Sequence, residues 1–364
     1  MQVIVVGAGV VGYAIAYELA ARGAQVRVID PRGSGQGATR ASAGILAPHI
    51  EGHSEKLLQL GLCSLDQYDN FIARVSADAG RPIEYRRTGT LEVALDDAEA
   101  QDLQQRRRTL ADAGVFHSFL DGDGARQLES CLTDGVRAAL LIPRHGYVGV
   151  ASLMTALVEA AARRGGTLTV GRVDAVSDDR GSPRVVTSDQ TIAADAVVIA
   201  AGCWSGGIRV PPAPSPPVRP VRGQLLHLRQ AQPTLSFVVW GTGCYLVPWQ
   251  DGSILVGATV EEAGFDESVT VDGVRQLLQS AEQLVPALRS AIFDDARAGL
   301  RPATADDLPI IGASTTMRGV YYATGHYRNG VLLAPLTAAL MADLLVSGHE
   351  RRELESVRPA RFGL

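Results

Sequence analysis

The residues whose spacing most clearly indicates chemistry are three glycines near the start of the chain. Gly7, Gly9 and Gly12 form the pattern GxGxxG between an apolar run and a helical one. In such a turn the first glycine permits a tight bend, the second lets backbone approach a pyrophosphate, and the third lets helix pack on strand. The helix amino end offers free N–H groups to phosphates. Asp30, 18 residues after Gly12, can accept hydrogen bonds from ribose hydroxyls, so the unit predicts dinucleotide binding.

The segments around this motif have the order of a parallel sheet. Residues 3–6 (VIVV) predict a buried strand, and residues 25–30 predict a second one. Between them, residues 10–22 have helical spacing that Gly23 ends. This order begins a doubly wound sheet. Further elements are predicted as strands at 88–95, 195–200 and 320–323, and as helices at 54–79, 96–113, 151–164 and 332–346.

A second group of segments predicts an antiparallel sheet. It follows the proline-rich residues 211–220, which predict a linker or an extended crossover. Its strands are predicted at 223–228, 235–240, 244–249 and 253–258, with a helix at 272–288. The expected fold class is α/β, a Rossmann-like dinucleotide-binding domain with an interleaved antiparallel-sheet substrate domain. The division assigns residues 1–80, 140–215 and 300–364 to the first domain, and 81–139 and 216–299 to the second.

Composition excludes several classes of function. The 364 residues carry a net charge of −5, which argues against a nucleic-acid-binding face. Lys56 is the only lysine, which argues against a Walker A loop or a Schiff base. His49 and His53 have no third ligand, so no metal site is predicted. Scattered cysteines, no basic leader and no run of about 18 apolar residues predict a cytoplasmic protein without a transmembrane segment.

Segments along nearly the whole chain resemble those of one protein family. Their order and spacing are similar to the D-amino-acid oxidase superfamily of FAD-dependent oxidoreductases, and most similar to the glycine oxidases of thiamine biosynthesis. The matching segments are VIVVGAGVVGYAIAYELA (3–20), ATRASAGILAPH (38–49), VVIAAGCWS (197–205), PVRGQ (220–224), CYLVP (244–248), VGAT (256–259), GLRPAT (299–304) and ATGHYRNGVLLAP (323–335).

The resemblance implies an FAD whose pyrophosphate lies at the first loop. Backbone N–H groups near residues 328–333 would stabilise the negative charge of the reduced ring. His326 has a second interpretation, a structural histidine in a turn. No cysteine follows Cys244, so the covalent attachment of the related sarcosine oxidases is not expected, and the FAD is noncovalent. The implied FAD-binding residues are Gly7, Gly9, Val10, Val11, Gly12, Asp30, Ala38, Thr39, Ala43, Gly44, Ile45, Val173, Gly202, His326, Tyr327, Arg328, Asn329, Gly330, Val331 and Leu332.

The resemblance also implies three substrate-binding residues. Arg301, in the segment GLRP, would present two parallel donors to a carboxylate. Tyr245 would offer its hydroxyl to the same carboxylate; the alternative is a packed strand tyrosine. Arg328 would be a second basic group, and its alternative is a structural pairing with a carboxylate. Gly243 stands where a glycine oxidase relative can carry histidine, so the details of the pocket differ.

The implied function is oxidative deamination of glycine or another small amino acid to a 2-oxo acid, ammonia and hydrogen peroxide. No side chain is predicted as a catalytic acid or base, because flavin N5 would accept a hydride from the α-carbon of a substrate whose amine is neutral. The partners are the amine substrate and oxygen or another electron acceptor. Two alternatives stay open: a D-amino-acid or imino-acid dehydrogenase with a different acceptor, and a non-catalytic flavoprotein scaffold. The sequence also leaves open whether the protein forms a homo-oligomer.

Overall fold

One of the two large layers is a six-stranded sheet that is parallel except at one edge. The computed structural model describes residues 1–51, 54–229 and 235–364, so His53 lies outside the described residues. The order of this sheet is Ile310–Ala313 (β19), Val320–Thr324 (β20), Ala196–Ile199 (β13), Gln2–Val6 (β1), Gln25–Asp30 (β2) and Thr167–Val170 (β9). The edge strand β19 is antiparallel to β20. The expected parallel sheet is therefore confirmed.

An eight-stranded sheet forms the second layer. Its order is Ile292–Ala303 (β18), Arg219–Arg229 (β14), Ser253–Gly257 (β17), Cys244–Pro248 (β16), Val238–Gly241 (β15), Thr90–Ala94 (β5), Ala138–Ile142 (β7) and Ser118–Asp121 (β6). All its pairings are antiparallel except that of β15 with β5, which is parallel. The predicted antiparallel sheet is therefore extended by three strands from an earlier part of the chain. The proposed division into two domains stays a prediction.

Two small sheets and a set of helices complete the described fold. The small sheets contain Val173–Asp179 (β10), Ser182–Thr187 (β11) and Thr191–Ala193 (β12), and Ile45–Leu46 (β3), Gly146–Val148 (β8) and Tyr85–Arg86 (β4). The helices are Val10–Ala21 (α1), Pro48–Glu51 (α2), Glu55–Leu65 (α3), Tyr68–Ala79 (α4), Asp97–Asp112 (α5), Gly122–Leu128 (α6), Val150–Arg163 (α7), Val271–Leu284 (α8) and Gly330–Ala342 (α9).

Helix ends follow the predicted capping residues. The Ser54 hydroxyl accepts the Leu57 N–H at 3.3 Å at the start of α3, and the Asp96 carboxylate accepts the Glu99 N–H at 2.8 Å at the start of α5. Gly80 ends α4 with a φ of 66°, in the left-handed region that favours glycine. These helix ends can be predicted from the sequence because each depends on residues a few positions apart.

The single helix predicted over 54–79 is wrong, because the chain forms α3 and α4 with a break at residues 66–67. Side chains take carbonyls that a continuous helix would use. The Arg87 guanidinium donates to the Leu65 carbonyl at 2.8 Å, and the Gln67 amide donates to the Cys63 carbonyl at 3.0 Å. Arg87 is distant in sequence, so the helical spacing alone could not indicate this break.

The proline-rich segment extends less far than predicted. Strand β14 begins at Arg219 rather than Gly223 and includes Pro220. Proline lacks the N–H that a central strand would donate. Pro220 is tolerated because β17 pairs with β14 only from Leu225 onwards, so this part of β14 has a ladder on the β18 side alone.

The helices α1 and α9 are buried against each other behind the parallel sheet. Gly330–Ser347, which comprises α9 and the π-helical turn after it, is long and apolar enough to span a membrane. Within the described residues, however, 67% of this stretch is buried in the fold, as in a core helix.

Helix α9 contains a proline that removes one backbone hydrogen bond. Pro335 has no N–H for the Val331 carbonyl, and the buried Tyr68 hydroxyl donates to that carbonyl instead, at 2.5 Å. The Ser64 hydroxyl enters the next position, donating to the Leu332 carbonyl at 2.6 Å and accepting the Leu336 N–H at 3.3 Å. Side chains of α3 and α4 thus complete the ladder of α9 and hold its first turn in place.

We expect Tyr68→Phe to destabilise the protein by about 1–3 kcal/mol, because the Val331 carbonyl would be buried without a donor. The measurement is the free energy of unfolding from urea titration. Tyr147→Phe is the control, since its hydroxyl is 3.4 Å from the nearest Glu84 oxygen and should contribute less. Equal losses in the two variants would contradict the assignment.

Candidate active site

A cavity of about 1110 Å³ lies at the carboxyl ends of β1 and β2. Its walls come from both large sheets and from the turns before α1 and α9. It contains all the predicted site residues except Gly12 and Leu332. The lining includes Gly7, Gly9, Val10, Val11, Asp30, Ala38, Thr39, Ala43, Gly44, Ile45, Val173, Gly202, Tyr245, Arg301, His326, Tyr327, Arg328, Asn329, Gly330 and Val331.

Each of the three glycines of the first loop suits its position for a different geometric reason. Gly7 has a φ of 113°, and an added Cβ would lie 2.3 Å from the Ala200 carbonyl oxygen. At Gly12 an added Cβ would lie 2.0 Å from the Gly7 carbonyl oxygen, so Gly12 serves the packing of α1 rather than the cavity wall. Around Gly9 the described residues, chain neighbours aside, place only the Thr39 hydroxyl within 4 Å of an added Cβ, at 3.1 Å. Gly9 therefore leaves the backbone open toward the cavity.

The amino end of α1 is partly capped from a distant loop. The Val10 N–H donates to the Thr39 hydroxyl at 3.0 Å. The described residues supply no acceptor for the N–H groups of Val11 and Gly12. Together with the partial positive charge of a helix amino end, these groups can bind an anion.

Asp30 is fixed by the backbone on both sides. Its Oδ2 accepts the Ala8 N–H at 3.0 Å, and its Oδ1 accepts the Arg32 N–H at 2.7 Å. Each carboxylate oxygen has a further lone pair, so Asp30 can still accept a hydroxyl. Asp30 ends β2 and lines the cavity, and its contact with a ribose stays a prediction.

The turn before α9 presents a second helix amino end to the cavity. Tyr327 has a φ of 48°, and its N–H donates to the Pro302 carbonyl at 2.8 Å. The first helical bond of α9 runs from the Leu333 N–H to the Asn329 carbonyl, at 2.8 Å. The described residues leave the N–H groups of Gly330 and Val331 without an acceptor, so they can stabilise negative charge.

His326 and Leu332 are directed partly toward the protein interior. The His326 Nε2 is 3.0 Å from the Thr337 hydroxyl, and burial lowers the pKa of the imidazole to about 3. His326 is therefore neutral and ties the turn to α9. Leu332 is buried outside the cavity wall. The contact of Nε2 with Thr337 is thus a structural one, although His326 also lines the cavity.

Arg301 presents an uncompensated charge in the cavity. Its Nη1 donates to the Thr259 carbonyl at 2.9 Å and to the Arg222 carbonyl at 3.2 Å, which fixes the guanidinium. An added Cβ at Gly223 would lie 2.2 Å from this guanidinium, so glycine is needed beneath it. The described residues place no carboxylate within ion-pair distance of Arg301. The remaining N–H donors can therefore bind a carboxylate.

Tyr245 lies beside this arginine. Burial raises the pKa of Tyr245 to about 12, so the hydroxyl is protonated at neutral pH and can donate. The ring contacts Trp240, with centroids 5.0 Å apart. It also lies over Gly257, where an added Cβ would be 2.5 Å from the ring. Tyr245 thus combines the two interpretations, because it is packed on the strand and also lines the cavity.

Arg328 does not carry a free charge. Its Nε lies 3.2 Å from the Glu51 Oε2, and both side chains are largely buried. The alignment is not that of a hydrogen bond, so the attraction is mainly Coulombic. The structural alternative for Arg328 is a pairing with a carboxylate. Glu51 provides that carboxylate, and it also lines the cavity. Sequence reasoning missed Glu51 because no local pattern links it to Arg328.

The comparisons with known proteins agree with this geometry. Residues 2–344 match the family model described as FAD dependent oxidoreductase. The chain is similar to the glycine oxidase of Geobacillus kaustophilus, with 35% identity over 97% of this chain and 93% of the relative. It is 34% identical to the Pseudomonas putida glycine oxidase, over 94% of each chain.

This chain belongs to the FAD-dependent oxidoreductase family. Its structure is similar to the crystal structure of the G. kaustophilus glycine oxidase, with a TM-score of 0.90, 34% identity and 96% coverage of each chain. It is also similar to the crystal structure of iminodiacetate oxidase from Chelativorans sp. BNC1, with a TM-score of 0.89, 28% identity and 98% coverage of each chain. The resemblance stated from the sequence and the expected fold class are confirmed.

The residues of this FAD-dependent oxidoreductase fit an extended FAD. Gly9 is open to the cavity, the amino end of α1 can hold the pyrophosphate, and Asp30 can accept the ribose. The amino end of α9 lines the same cavity, so its N–H groups would stabilise negative charge on a bound flavin. The roles of the individual residues stay predictions.

A cluster missed in the sequence lies near Asp30. The Arg32 guanidinium stacks over Trp204 at 4.1 Å from the ring centroid, and its Nη1 pairs with Glu267 at 2.9 Å. The Trp204 ring also contacts Phe265, with centroids 6.0 Å apart. These residues line the cavity and join three distant segments, so only the fold brings them together.

We expect Gly9→Val to reduce FAD affinity at least about a hundredfold, because its side chain would enter the space open to a pyrophosphate. FAD binding to the apoprotein is measured by quenching of flavin fluorescence. Gly135→Val is the control, since Gly135 is exposed and outside the cavity. A folded Gly9→Val protein with unchanged FAD affinity would show that the loop is misassigned.

We also expect acid denaturation to release all of the FAD. Cys203 and Cys244 line the cavity, but burial raises the pKa of both thiols to about 12, which disfavours the reactive thiolate. The supernatant of the precipitated protein should contain the flavin, and the pellet should be colourless. Fluorescence that stays with the denatured chain on a gel would instead indicate a covalent bond.

Proposed function

We propose that this FAD-dependent oxidoreductase oxidises small amino acids, foremost glycine, and passes the electrons to oxygen. The observation that carries the proposal is the Arg301 guanidinium, which is fixed by two carbonyls and has no carboxylate partner among the described residues. A cation held in this way inside a cofactor cavity suits a substrate that carries a carboxylate.

The chain's own residues would bind and orient the substrate. Arg301 would take the carboxylate, and the Tyr245 hydroxyl, protonated at neutral pH, would donate to it. This anchoring holds the α-carbon in one orientation, and positioning of this kind is a large part of enzymatic rate enhancement. Trp240 packs against the Tyr245 ring, with centroids 5.0 Å apart, and also lines the cavity.

FAD supplies two-electron acceptor chemistry when it is bound. The substrate amine must be neutral for a hydride to leave the α-carbon, and no side chain is needed to take a proton from carbon. The N–H groups at the start of α9 would stabilise negative charge on the cofactor. With glycine, oxygen and water as reactants, the products are glyoxylate, ammonia and hydrogen peroxide.

The names of the relatives support the substrate class. The G. kaustophilus and P. putida proteins are glycine oxidases, and together with the cavity geometry they favour oxidation of an amino acid. The electron acceptor is a separate part of the proposal, because oxygen reactivity does not follow from residue types.

The test is a substrate panel on the purified holoenzyme. Glycine in air should give glyoxylate, ammonia and peroxide in equal amounts. Without oxygen, glycine should bleach the flavin absorbance. Bleaching without peroxide formation in air, but with dye reduction, would favour the dehydrogenase. A flavin that no amine in the panel bleaches would contradict an amine-oxidising role.

We expect Arg301→Ala to reduce kcat/KM for glycine about tenfold to several hundredfold, since a charge-assisted hydrogen bond contributes roughly 1.5–3 kcal/mol and orientation is also lost. Arg301→Lys should restore part of the activity, because an ammonium lacks the planar fork. Methylamine, which has no carboxylate, should be affected far less.

The comparison that decides is the ratio of the losses for glycine and methylamine. Arg229→Ala serves as a control, because Arg229 is exposed on β14 and pairs with Asp294 at 2.7 Å. Equal losses for both amines in Arg301→Ala would mean that Arg301 supports the fold or the flavin.

A further inference from the structure

Two of the arginines that line the cavity, Arg301 and Arg328, are in different electrostatic states. Arg301 has no carboxylate partner among the described residues, whereas Arg328 lies 3.2 Å from Glu51. Glu51, Tyr245 and both arginines line the same cavity. Besides burial, the Glu51 carboxylate raises the pKa of the Tyr245 hydroxyl, and the two guanidinium groups lower it. The substrate end of the cavity therefore holds one uncompensated cation and one compensated cation.

The Glu51–Arg328 pair differs from an exposed ion pair. The Glu51 side chain is 12% exposed and that of Arg328 is 26% exposed, so solvent screens their charges only in part. Among the described residues, the facing atoms Oε2 and Nε have no hydrogen-bond partner. Glu51 thus offsets the charge of Arg328, while the Arg328 Nε–H stays without an acceptor among the described residues.

The two side chains come from separate parts of the fold. Glu51 ends the short helix α2, which follows the cavity-lining strand β3. Arg328 belongs to the turn that precedes α9. The charge of Glu51 can therefore be changed without altering the elements that carry Arg301.

We propose that Glu51 is a specificity-determining residue that restricts the site to substrates with a single carboxylate. This inference rests on the proposed function. A second substrate carboxylate near Arg328 would meet the negative charge of Glu51 in a partly buried site, where like charges repel strongly. The first carboxylate binds Arg301 and meets no such repulsion.

The main experiment removes the charge of Glu51 in the FAD-loaded enzyme. In Glu51→Gln, kcat/KM for iminodiacetate relative to glycine should rise about tenfold to a hundredfold, the effect of one new charge-assisted contact. Oxidation of iminodiacetate by oxygen and water gives glyoxylate, glycine and peroxide, so peroxide reports on both substrates. Glu51→Asp keeps the charge and should retain the preference for glycine.

A binding measurement makes the test independent of turnover. Acetate and malonate are titrated against the flavin absorbance at a pH where both carboxyls of malonate are ionised. Glu51→Gln should tighten malonate binding by a similar factor and change acetate binding less than about threefold. The double variant Glu51→Gln/Arg328→Gln should lose the gain, because Arg328 provides the second cation.

A matched control is the pair of Glu92 and Arg106, 2.6 Å apart and outside the cavity. Glu92→Gln should leave both ratios unchanged. If Glu51→Gln fails to bind FAD, Arg328→Gln provides the opposite test. It leaves Glu51 unbalanced, so malonate binding should weaken at least about tenfold more than acetate binding.

The outcomes separate the two proposals. If no amine is oxidised but Glu51→Gln tightens malonate binding, the proposed function fails and the role of Glu51 stands. If glycine is oxidised while Glu51→Gln changes neither ratio, the role of Glu51 is wrong and the proposed function stands. A gain that persists in the double variant would also overturn the inference, since it would not come from Arg328.

Discussion

The positive potential of the cavity depends on the direction of two buried helices, α1 and α9. Helix α1 follows β1 and helix α9 follows β20, and both strands run in the same direction in one sheet. Because the carboxyl ends of parallel strands meet at one edge, both helices begin at that edge and direct their amino ends into the same cavity. Arg301 adds a full charge from the other large sheet. The topology therefore fixes where an anionic cofactor and an anionic substrate can meet.

The first turn of α9 needs support from outside the helix. Pro335 would leave the Val331 carbonyl without a partner, and Tyr68 supplies the missing donor. Ser64 fills the next position in the ladder. The same turn begins with Gly330, whose N–H faces no acceptor among the described residues. Packing of α3 and α4 is thus connected to the direction in which α9 presents its amino end.

Local signals allowed much of the fold and the first loop of the cavity to be predicted from the sequence. The GxGxxG turn, the caps Ser54 and Asp96 and the early strands depend on neighbours within a few residues. The break at residues 66–67 depends on Arg87, and the position of the His326 imidazole depends on Thr337, so helical spacing could not reveal either.

Charge compensation is the property that the sequence hides most completely. The sequence shows an arginine in the same way whether or not a carboxylate pairs with it in the fold. Arg301 and Arg328 were both predicted to bind substrate, and the fold distinguishes them only because Glu51 approaches one of them. The cluster of Arg32, Trp204 and Glu267 is hidden for the same reason, since its members meet only in three dimensions.

The resulting balance of charges bears on how a proposed amino-acid substrate would lose its proton. With Glu51 cancelling Arg328, the substrate end has one net positive charge, that of Arg301. A zwitterion would leave this charge uncancelled overall, whereas an amino acid with a neutral amine and an ionised carboxylate would neutralise it. A partly buried cation favours the more negative form of a bound ligand. Under the proposed function, the cavity would therefore favour the neutral amine, which is the form that hydride loss requires, without a side chain acting as a base.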